Sequence, residues 1–147
     1  MQKSAPPSLD PVDCNCQALR QAARHVSQIY DNHLAAEGLT TSQFSILSKL
    51  NRLGPMSINE LAKLMVMDRT TLGRALRPLQ RDRLLSVEAD DDARRRKIKL
   101  TTTGETRVKA ASAKWREAQK EFELSFGVPE AVGMRTVLRR VLSATGA

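Results

Sequence analysis

Residues 68–79 most constrain what this chain can fold into. Asp68 can accept the free backbone N–H groups of a first helical turn, and Leu72, Leu76 and Leu79 recur at helical spacing on one face. The other face carries basic, hydroxyl and glycine residues without an acidic group: Arg69, Thr70, Gly73, Arg74 and Arg77. Guanidinium groups bind phosphates and guanine edges, so the pattern predicts a helix that enters a DNA major groove.

The positive charge of the chain is concentrated around this segment. The net charge is +8 over 147 residues, and the span from Lys63 to Lys109 holds 13 basic and 7 acidic side chains. Localised basic charge indicates a polyanionic partner, with nucleic acid as the first candidate and an acidic membrane surface as the second. At 41% hydrophobic residues, the length suits one domain, or a small domain joined to an oligomerisation element.

Several classes of protein are not expected from this sequence. It has no run of 18 apolar residues, and prolines follow Lys3 where a signal peptide would have an apolar core, so we expect a cytoplasmic protein that does not span a membrane. Its two cysteines are too few for a disulfide scaffold, and its two histidines have no cysteine at zinc-site spacing. We therefore expect no metal site and no cofactor.

Two short helices with a tight turn between them are predicted around Asp68. Ser57 followed by Glu60 forms a capping-box pattern for the first helix, and the basic helix follows Asp68. An earlier helix begins at Thr40 or Thr41 and stops at Gly54. The layout is that of a helix-turn-helix, and Pro78 is expected to kink the basic helix or end it early.

A β-hairpin with a charged tip is predicted after the basic helix. Residues 84–87 and 97–100 form two short β-type runs, and three aspartates and three arginines lie between them. A flexible charged loop is the simpler interpretation of the tip. The consecutive arginines at 94–96 favour instead a wing that inserts into DNA.

Long helices flank this region. Their apolar spacing predicts a helix over residues 15–36 that is ended by Gly38, a fifth helix from 101–103 to Phe126, and a last helix that begins near Pro129. Their apolar stripes are too narrow for a monomeric core, so we expect a homodimer with intertwined stems. The predicted fold is mainly α with a small β-hairpin wing, an α+β class. Its parts are an extended arm (1–13), a helical dimerisation region (14–37 and 102–147) and a winged helix-turn-helix lobe (38–101).

The pattern over residues 15–143 resembles the MarR family of winged helix-turn-helix regulators. The residues that carry this resemblance are Gly38-Leu39-Thr40, Gln43-Phe44, Leu61-Ala62, Asp68-Arg69-Thr70-Thr71-Leu72, Leu79, Leu84, Asp92-Ala93-Arg94, Leu100-Thr101 and Gly104. The resemblance implies a dimeric repressor or activator of a pseudo-palindromic site. Such regulators often release double-stranded DNA when a small phenolic or aromatic compound, or an oxidant, acts on them.

The resemblance also implies roles for single residues. Asp92 would brace the wing by pairing with a nearby arginine, and Arg94 would reach into the minor groove. Where the family usually has glycine, this chain has Val66 before the basic helix and Arg83 after it. A glycine-compatible conformation at such a residue costs about 1 kcal/mol. The candidate DNA contacts are Arg69, Thr70, Thr71, Arg74, Arg77, Arg94, Arg95 and Arg96.

Whether the arginines of the basic helix read bases or hold phosphates stays open. Arg74 and Arg77 can bind guanine edges with two hydrogen bonds, and phosphate contact is equally compatible with their positions. Thr70, Thr71 and Arg74 would face bases or phosphates in the major groove by the family resemblance.

The resemblance motivates an effector cleft where stem and lobe meet. The candidate lining residues are Arg24, His25, Tyr30, His33, Phe44 and Trp115. Core packing is the simpler explanation for Phe44 and Trp115. Cys14 and Cys16 are redox candidates because a helix N-terminus stabilises a thiolate, although unreactive surface thiols are more common.

The leading hypothesis is a sequence-specific, dimeric transcription regulator of repressor type. An architectural protein that binds DNA by charge and shape is the alternative, and it would show a small affinity gap between sites. A thiol enzyme built on Cys14 or Cys16 lacks a nearby base with an orienting partner, so no enzymatic activity is expected.

Overall fold

The computed structural model describes residues 4–89, 91 and 95–144. This part of the chain forms six α-helices, two 3-10 helices of three residues each and three short strands. The bounds of the α-helices and strands are α1 Asn15–Leu34, α2 Thr41–Leu53, β1 Met56–Ser57, α3 Ile58–Met65, α4 Arg69–Arg81, β2 Leu85–Ala89, β3 Arg96–Leu100, α5 Thr102–Phe126 and α6 Val128–Ala144. The mainly helical fold with a small antiparallel wing agrees with the fold class predicted from the sequence.

The helices begin at residues whose side chains bind the first free N–H groups. Thr40 and Gln43 form a capping box at α2, and Ser57 and Glu60 form another at α3. Thr101 accepts from the N–H of Gly104 at the start of α5. These contacts are local in sequence, which is why the helix starts were predictable.

The wing is part of a three-stranded sheet in the order β1-β3-β2. Strands β2 and β3 pair antiparallel from Leu85 with Leu100 to Ala89 with Arg96, and Met56 of β1 pairs with Ile98. Strand β1 was not predicted from the sequence, because two residues carry no recognisable alternation. This strand ties the start of α3 to the wing.

One hydrophobic core joins α2, α3, α4 and the sheet to the ends of α1 and α5. Its largest fully buried side chains are Leu34, Ile46, Leu47, Leu61, Leu72, Leu79, Leu84 and Ile98. The core ends at Ala111 on α5. Because the start of α5 packs into this core, we extend the name lobe to residues 41–111, and we call α1, residues 112–126 of α5 and α6 the stem.

The stem is poorly covered within one chain. Among its described residues only Leu34, Ala118 and Ala131 are buried, while Leu19 is 41% exposed and Leu142 is 68% exposed. The stem helices therefore leave an apolar surface open along most of their length.

The described helices include none that is long and apolar enough to cross a membrane.

Helix α4 continues past Pro78 for three residues. Pro78 removes only one backbone hydrogen bond, and the last turn is held by other bonds: the N–H of Asp82 donates to the carbonyl of Pro78 at 3.0 Å, and that of Leu84 to the carbonyl of Leu79 at 2.9 Å. The helix thus ends at Arg81.

Candidate nucleic-acid interface

The N-terminus of α4 is shaped by Asp68. Its Oδ1 accepts from the backbone N–H of Thr71 at 2.7 Å, and its Oδ2 accepts from the Thr71 hydroxyl at 3.0 Å. These two hydrogen bonds, the backbone one first, lower the pKa of the Asp68 carboxyl. The Thr71 hydroxyl therefore donates its proton to the cap, and only its lone pairs remain for a donor on DNA.

An exposed basic ridge lies opposite the buried face of α4. Thr70, Arg74, Arg77 and Arg81 repeat at steps of four, three and four, and all are exposed, whereas the leucines of the helix face the core. Within the described residues, neither Arg74 nor Arg77 forms an ion pair. The ridge thus carries two unpaired guanidinium groups and that of Arg81, whose Nε lies 4.0 Å from Asp82 Oδ1, with a hydroxyl at its N-terminal end. We call these four residues the α4 ridge.

A concave surface lies beside the α4 ridge, between α4, the start of α3 and the wing. Its volume is about 670 Å³. Arg69, Gly73 and Gln80 of α4 line one wall and Arg95 and Arg96 line another. The structure thus brings arginines that are far apart in sequence onto one concave basic surface.

The backbone of α4 is accessible at Gly73. A Cβ added at Gly73 would find no heavy atom within 4 Å. The fold itself therefore does not require glycine there, and a close approach by a ligand is a physical reason for it.

Two predicted wing residues, Asp92 and Arg94, lie outside the described residues. Their roles in bracing the wing and in minor-groove contact stay predictions. Arg95 and Arg96 are exposed at the base of the wing, where Arg96 begins β3.

Sequence reasoning missed three residues of this surface. Arg81 continues the α4 ridge, and Gln80 and Asn59 line the concave surface. The seven-residue step from Arg74 would have found Arg81, but Pro78 was expected to limit the helix. Asn59 lies at the start of α3, and its proximity to the wing depends on β1.

Both positions where the family usually has glycine are left-handed. Val66 has φ 53° and follows α3, and Arg83 has φ 59° and follows α4. At Val66 the N–H of Met67 donates to the carbonyl of Ala62 at 2.9 Å, which is the closing bond of a helix C-cap. The chain therefore carries backbone strain at both ends of α4.

The six candidate effector residues are divided among three environments. Phe44 is buried and stacks on Trp115, with ring centroids 6.5 Å apart. Both rings pack with the hydrophobic core, as the simpler explanation held. Arg24 and His25 are exposed on the outer part of α1.

The other two candidates, Tyr30 and His33, contact α5. The Tyr30 hydroxyl donates to Gln119 Oε1, and burial raises the pKa of Tyr30, with a smaller contribution from Glu123. His33 lies between Glu117 and Glu121. A separate cavity of about 230 Å³ has Trp115 in its lining together with residues of α5 and Val128.

Both cysteines are exposed where the N-terminal arm meets α1. Cys14 is the N-cap residue of α1 and Cys16 lies in its first turn. Across the described part of the chain, His, Cys, Asp and Glu form no group of three that fits a metal ion.

Comparisons with known proteins agree with this geometry. The model of the MarR family matches residues 39–97. The M. tuberculosis transcriptional regulator MosR, solved in complex with DNA, is 35% identical, with a TM-score of 0.80 over 92% of this chain and 100% of that one. A probable transcriptional regulator from Pseudomonas aeruginosa is 28% identical, with a TM-score of 0.79 over 90% of this chain and 99% of that one.

Comparison of sequences finds a relative that is also a helix-turn-helix regulator. The HTH-type transcriptional regulator YwoH of Bacillus subtilis is 24% identical over 108 residues, which are 74% of this chain and 79% of that protein. Members of the MarR family regulate transcription and are not enzymes. With its winged helix, its exposed basic α4 ridge and these similarities, the chain belongs to the MarR family of DNA-binding transcription regulators.

Proposed function

We propose that this regulator is a homodimer that represses transcription by binding a pseudo-palindromic operator. The observation that carries the proposal is the pairing of an exposed basic α4 ridge with a stem whose apolar side chains are uncovered. One ridge reads a half-site. A second copy of the chain covers the stem and fixes where the second ridge lies.

The stem supports a dimer by the amount of apolar surface it leaves open. Val137, Leu138, Val141 and Leu142 of α6 are all exposed, as is Leu19 of α1. Monomeric proteins rarely expose contiguous apolar surface of this kind. A two-fold interface would bury the same face of both copies at once.

The α4 ridge supports operator binding through its geometry. Two ridges related by a two-fold axis would enter successive major grooves about 34 Å apart, with the wings in the flanking minor grooves. Arg74 and Arg77 would then lie against base edges or phosphates, and Arg81 against the backbone at the end of the helix. Repression follows if the occupied site overlaps a promoter, and such a role places the protein in the cytoplasm.

Selection of bound fragments from genomic DNA with the purified protein tests this proposal. We expect an inverted repeat, bound roughly a thousandfold more tightly than random DNA. Recovery of fragments without a shared repeat, bound with one steep salt dependence, would instead support the architectural alternative. Reporter expression from the recovered site should then fall when the regulator is present.

A small aromatic or phenolic effector is part of the proposal. The cavity beside Trp115 has about 230 Å³ within one chain, less than typical ligand pockets of roughly 300–1,000 Å³, so a second copy would complete it. Trp115 is the only tryptophan, so its fluorescence reports on this place alone. Titration with phenolic acids should change that fluorescence and release operator DNA at the same concentrations.

Control by an oxidant is the other route to release, through the exposed thiols of Cys14 and Cys16. Peroxide should release operator DNA from the natural chain. A Cys14→Ser, Cys16→Ser double variant should stay bound at the same dose. If the double variant is released equally, the thiols are not the sensor.

A further inference from the structure

We propose that His33 is a positioning residue for DNA binding, holding α1 against α5 in its protonated form, so that operator affinity falls as the pH rises. The inference deepens the proposed function, because it takes operator binding by a dimer as given. In this proposal His33 acts through its contact with α5 and does not bind an effector.

Both ring nitrogens of His33 face carboxylates. Nε2 lies 2.5 Å from Glu121 Oε2, and Nδ1 lies 3.5 Å from Glu117 Oε2. A carboxylate only accepts hydrogen bonds, and a neutral imidazole has only one N–H. Only the imidazolium donates to both carboxylates. When the ring loses one of its two N–H protons, the lone pair of that nitrogen faces a carboxylate oxygen, and that contact breaks.

The two glutamates are placed to bind the ring together. Glu117 and Glu121 are four residues apart on α5, so they lie on one face of that helix, one turn apart. The hydrogen bond to Glu121 is the largest cause of the raised pKa of His33, and Glu117 adds to it. Lys114 lies 3.5 Å from Glu117 Oε2 and balances part of the negative charge.

Other charged groups near the end of α1 have partners elsewhere. Asp31 Oδ1 accepts from the backbone N–H of Thr41 at 2.6 Å, and Arg107 of α5 donates to the backbone carbonyl of Glu37 at 2.9 Å. The basic residues of α2, Lys49 and Arg52, lie about two and three turns beyond Thr41. The charges acting on the His33 ring are therefore those of α5.

His33 lies where the lobe joins the stem. Its neighbour Leu34 is fully buried in the core, and Asp31 ties α1 to the start of α2. Glu117 and Glu121 lie about 9 and 15 Å beyond Ala111, the last α5 residue of that core. The contact itself lies in the stem, at the end next to the lobe. It holds the last turn of α1, which leads into α2 of the lobe, against α5, whose first turns belong to the lobe core. By fixing the angle between these two connections, it limits how far the lobe can tilt on the stem, and therefore how far apart two α4 ridges lie.

The sign of the pH dependence follows from the raised pKa. The contact is fully present below the ordinary value of 6.5, and it is lost as the pH rises through the raised value in the folded protein. When the lobe tilts more freely on the stem, the two α4 ridges of a dimer take a wider range of separations. Binding to an operator of fixed spacing weakens, while binding to random DNA, which needs no fixed spacing, does not.

The experiment compares affinity for the recovered inverted repeat and for a random duplex of equal length, from about pH 6 to about pH 9 at constant ionic strength. Across this range, the ratio of operator affinity to random-duplex affinity should fall roughly fivefold or more for the natural chain. His33→Gln should have a low affinity ratio that does not change with pH. His25→Gln, which removes the exposed histidine of the same helix, should keep the natural profile and so control for charge alone.

A second measurement follows the proton itself. The imidazole signals in NMR spectra should place the titration midpoint of His33 above 6.5, and Glu121→Gln should lower it. An unchanged operator-to-random ratio across the range, or the same slope in His33→Gln, would overturn the inference. Failure to recover any repeat would instead contradict the proposed function, whatever the NMR midpoint.

Discussion

At the scale of single residues, the backbone is strained at both ends of α4, where Val66 and Arg83 have positive φ. Val66 is 69% exposed and left-handed, although its branched side chain disfavours that conformation. The surrounding hydrogen bonds of the C-cap hold it there. The resemblance to the MarR family pointed to both positions, because it showed where glycine is the usual residue.

Replacing Val66 by glycine should stabilise the protein. Relief of left-handed strain is worth roughly 1–2 kcal/mol and the added freedom of the unfolded chain removes roughly half of that, which leaves a net gain of about 0.5–1 kcal/mol. Urea unfolding measures this gain. Val66→Ala removes the side chain but keeps a Cβ, so it should be clearly less stable than Val66→Gly; equal stability of the two variants would show that Val66 is unstrained.

The cap at Asp68 predicts a response to acid. Because its folded pKa is lowered, its contribution to stability is present above the ordinary value of 3.8 and is lost as the pH falls from there through the folded value. Asn caps a helix equally well and does not titrate. In urea unfolding at decreasing pH, the natural chain should therefore lose stability relative to Asp68→Asn, and parallel curves for the two proteins would contradict this.

At the scale of elements, two glycines have opposite reasons for being glycine. A Cβ at Gly104 would overlap the backbone carbonyl oxygen of Leu84, because the start of α5 packs directly on the start of β2. A Cβ at Gly73 on α4 meets open space. Packing within the chain explains the first glycine, and approach of DNA to this face of α4 is the reason we propose for the second.

Alanine at Gly104 should destabilise the protein by about 1–3 kcal/mol, because a backbone oxygen cannot move aside without shifting the wing. Thermal unfolding and urea unfolding both measure this loss. A variant as stable as the natural chain would mean that α5 and β2 are less closely packed than described.

Alanine at Gly73 should raise stability by up to about 1 kcal/mol, because glycine is unfavourable inside a helix. The same variant should bind operator DNA more weakly, since its methyl group stands where the DNA is expected to approach. Mobility shifts and urea unfolding on one preparation separate the two effects. Unchanged operator affinity would indicate that DNA does not contact this face of α4.

At the scale of the whole molecule, the exposed apolar surface of the stem is the basis of the proposed dimer. The lobe buries all its described leucines except Leu53 and Leu64, whereas α6 buries only Ala131 among its described residues. In the N-terminal arm, Leu9 is also 94% exposed. A dimer would cover these side chains and set the separation of the α4 ridges.

A charge on the apolar face of α6 should therefore abolish both assembly and operator binding. Leu138→Glu is expected to sediment as a monomer and to lose operator affinity at least a hundredfold, because one half-site alone binds weakly. Thr136→Glu adds the same charge to the opposite, exposed face of the helix and should remain dimeric. A dimeric, fully active Leu138→Glu would place the interface elsewhere.

The amino-acid sequence by itself determined the helix starts, the basic face of α4 and the wing strands. These features depend on hydrogen bonds and periodicities that span a few residues, such as the contact between Asp68 and Thr71. They are therefore readable without knowing what lies nearby in space.

Only the tertiary structure decided which distant residues meet. It extended α4 past Pro78 to Arg81, packed Phe44 against Trp115 and placed His33 against Glu121, which is 88 residues away in sequence. The physical reason is that each of these outcomes depends on how whole helices pack. That packing is set by the summed burial of many side chains, and no local spacing reports it.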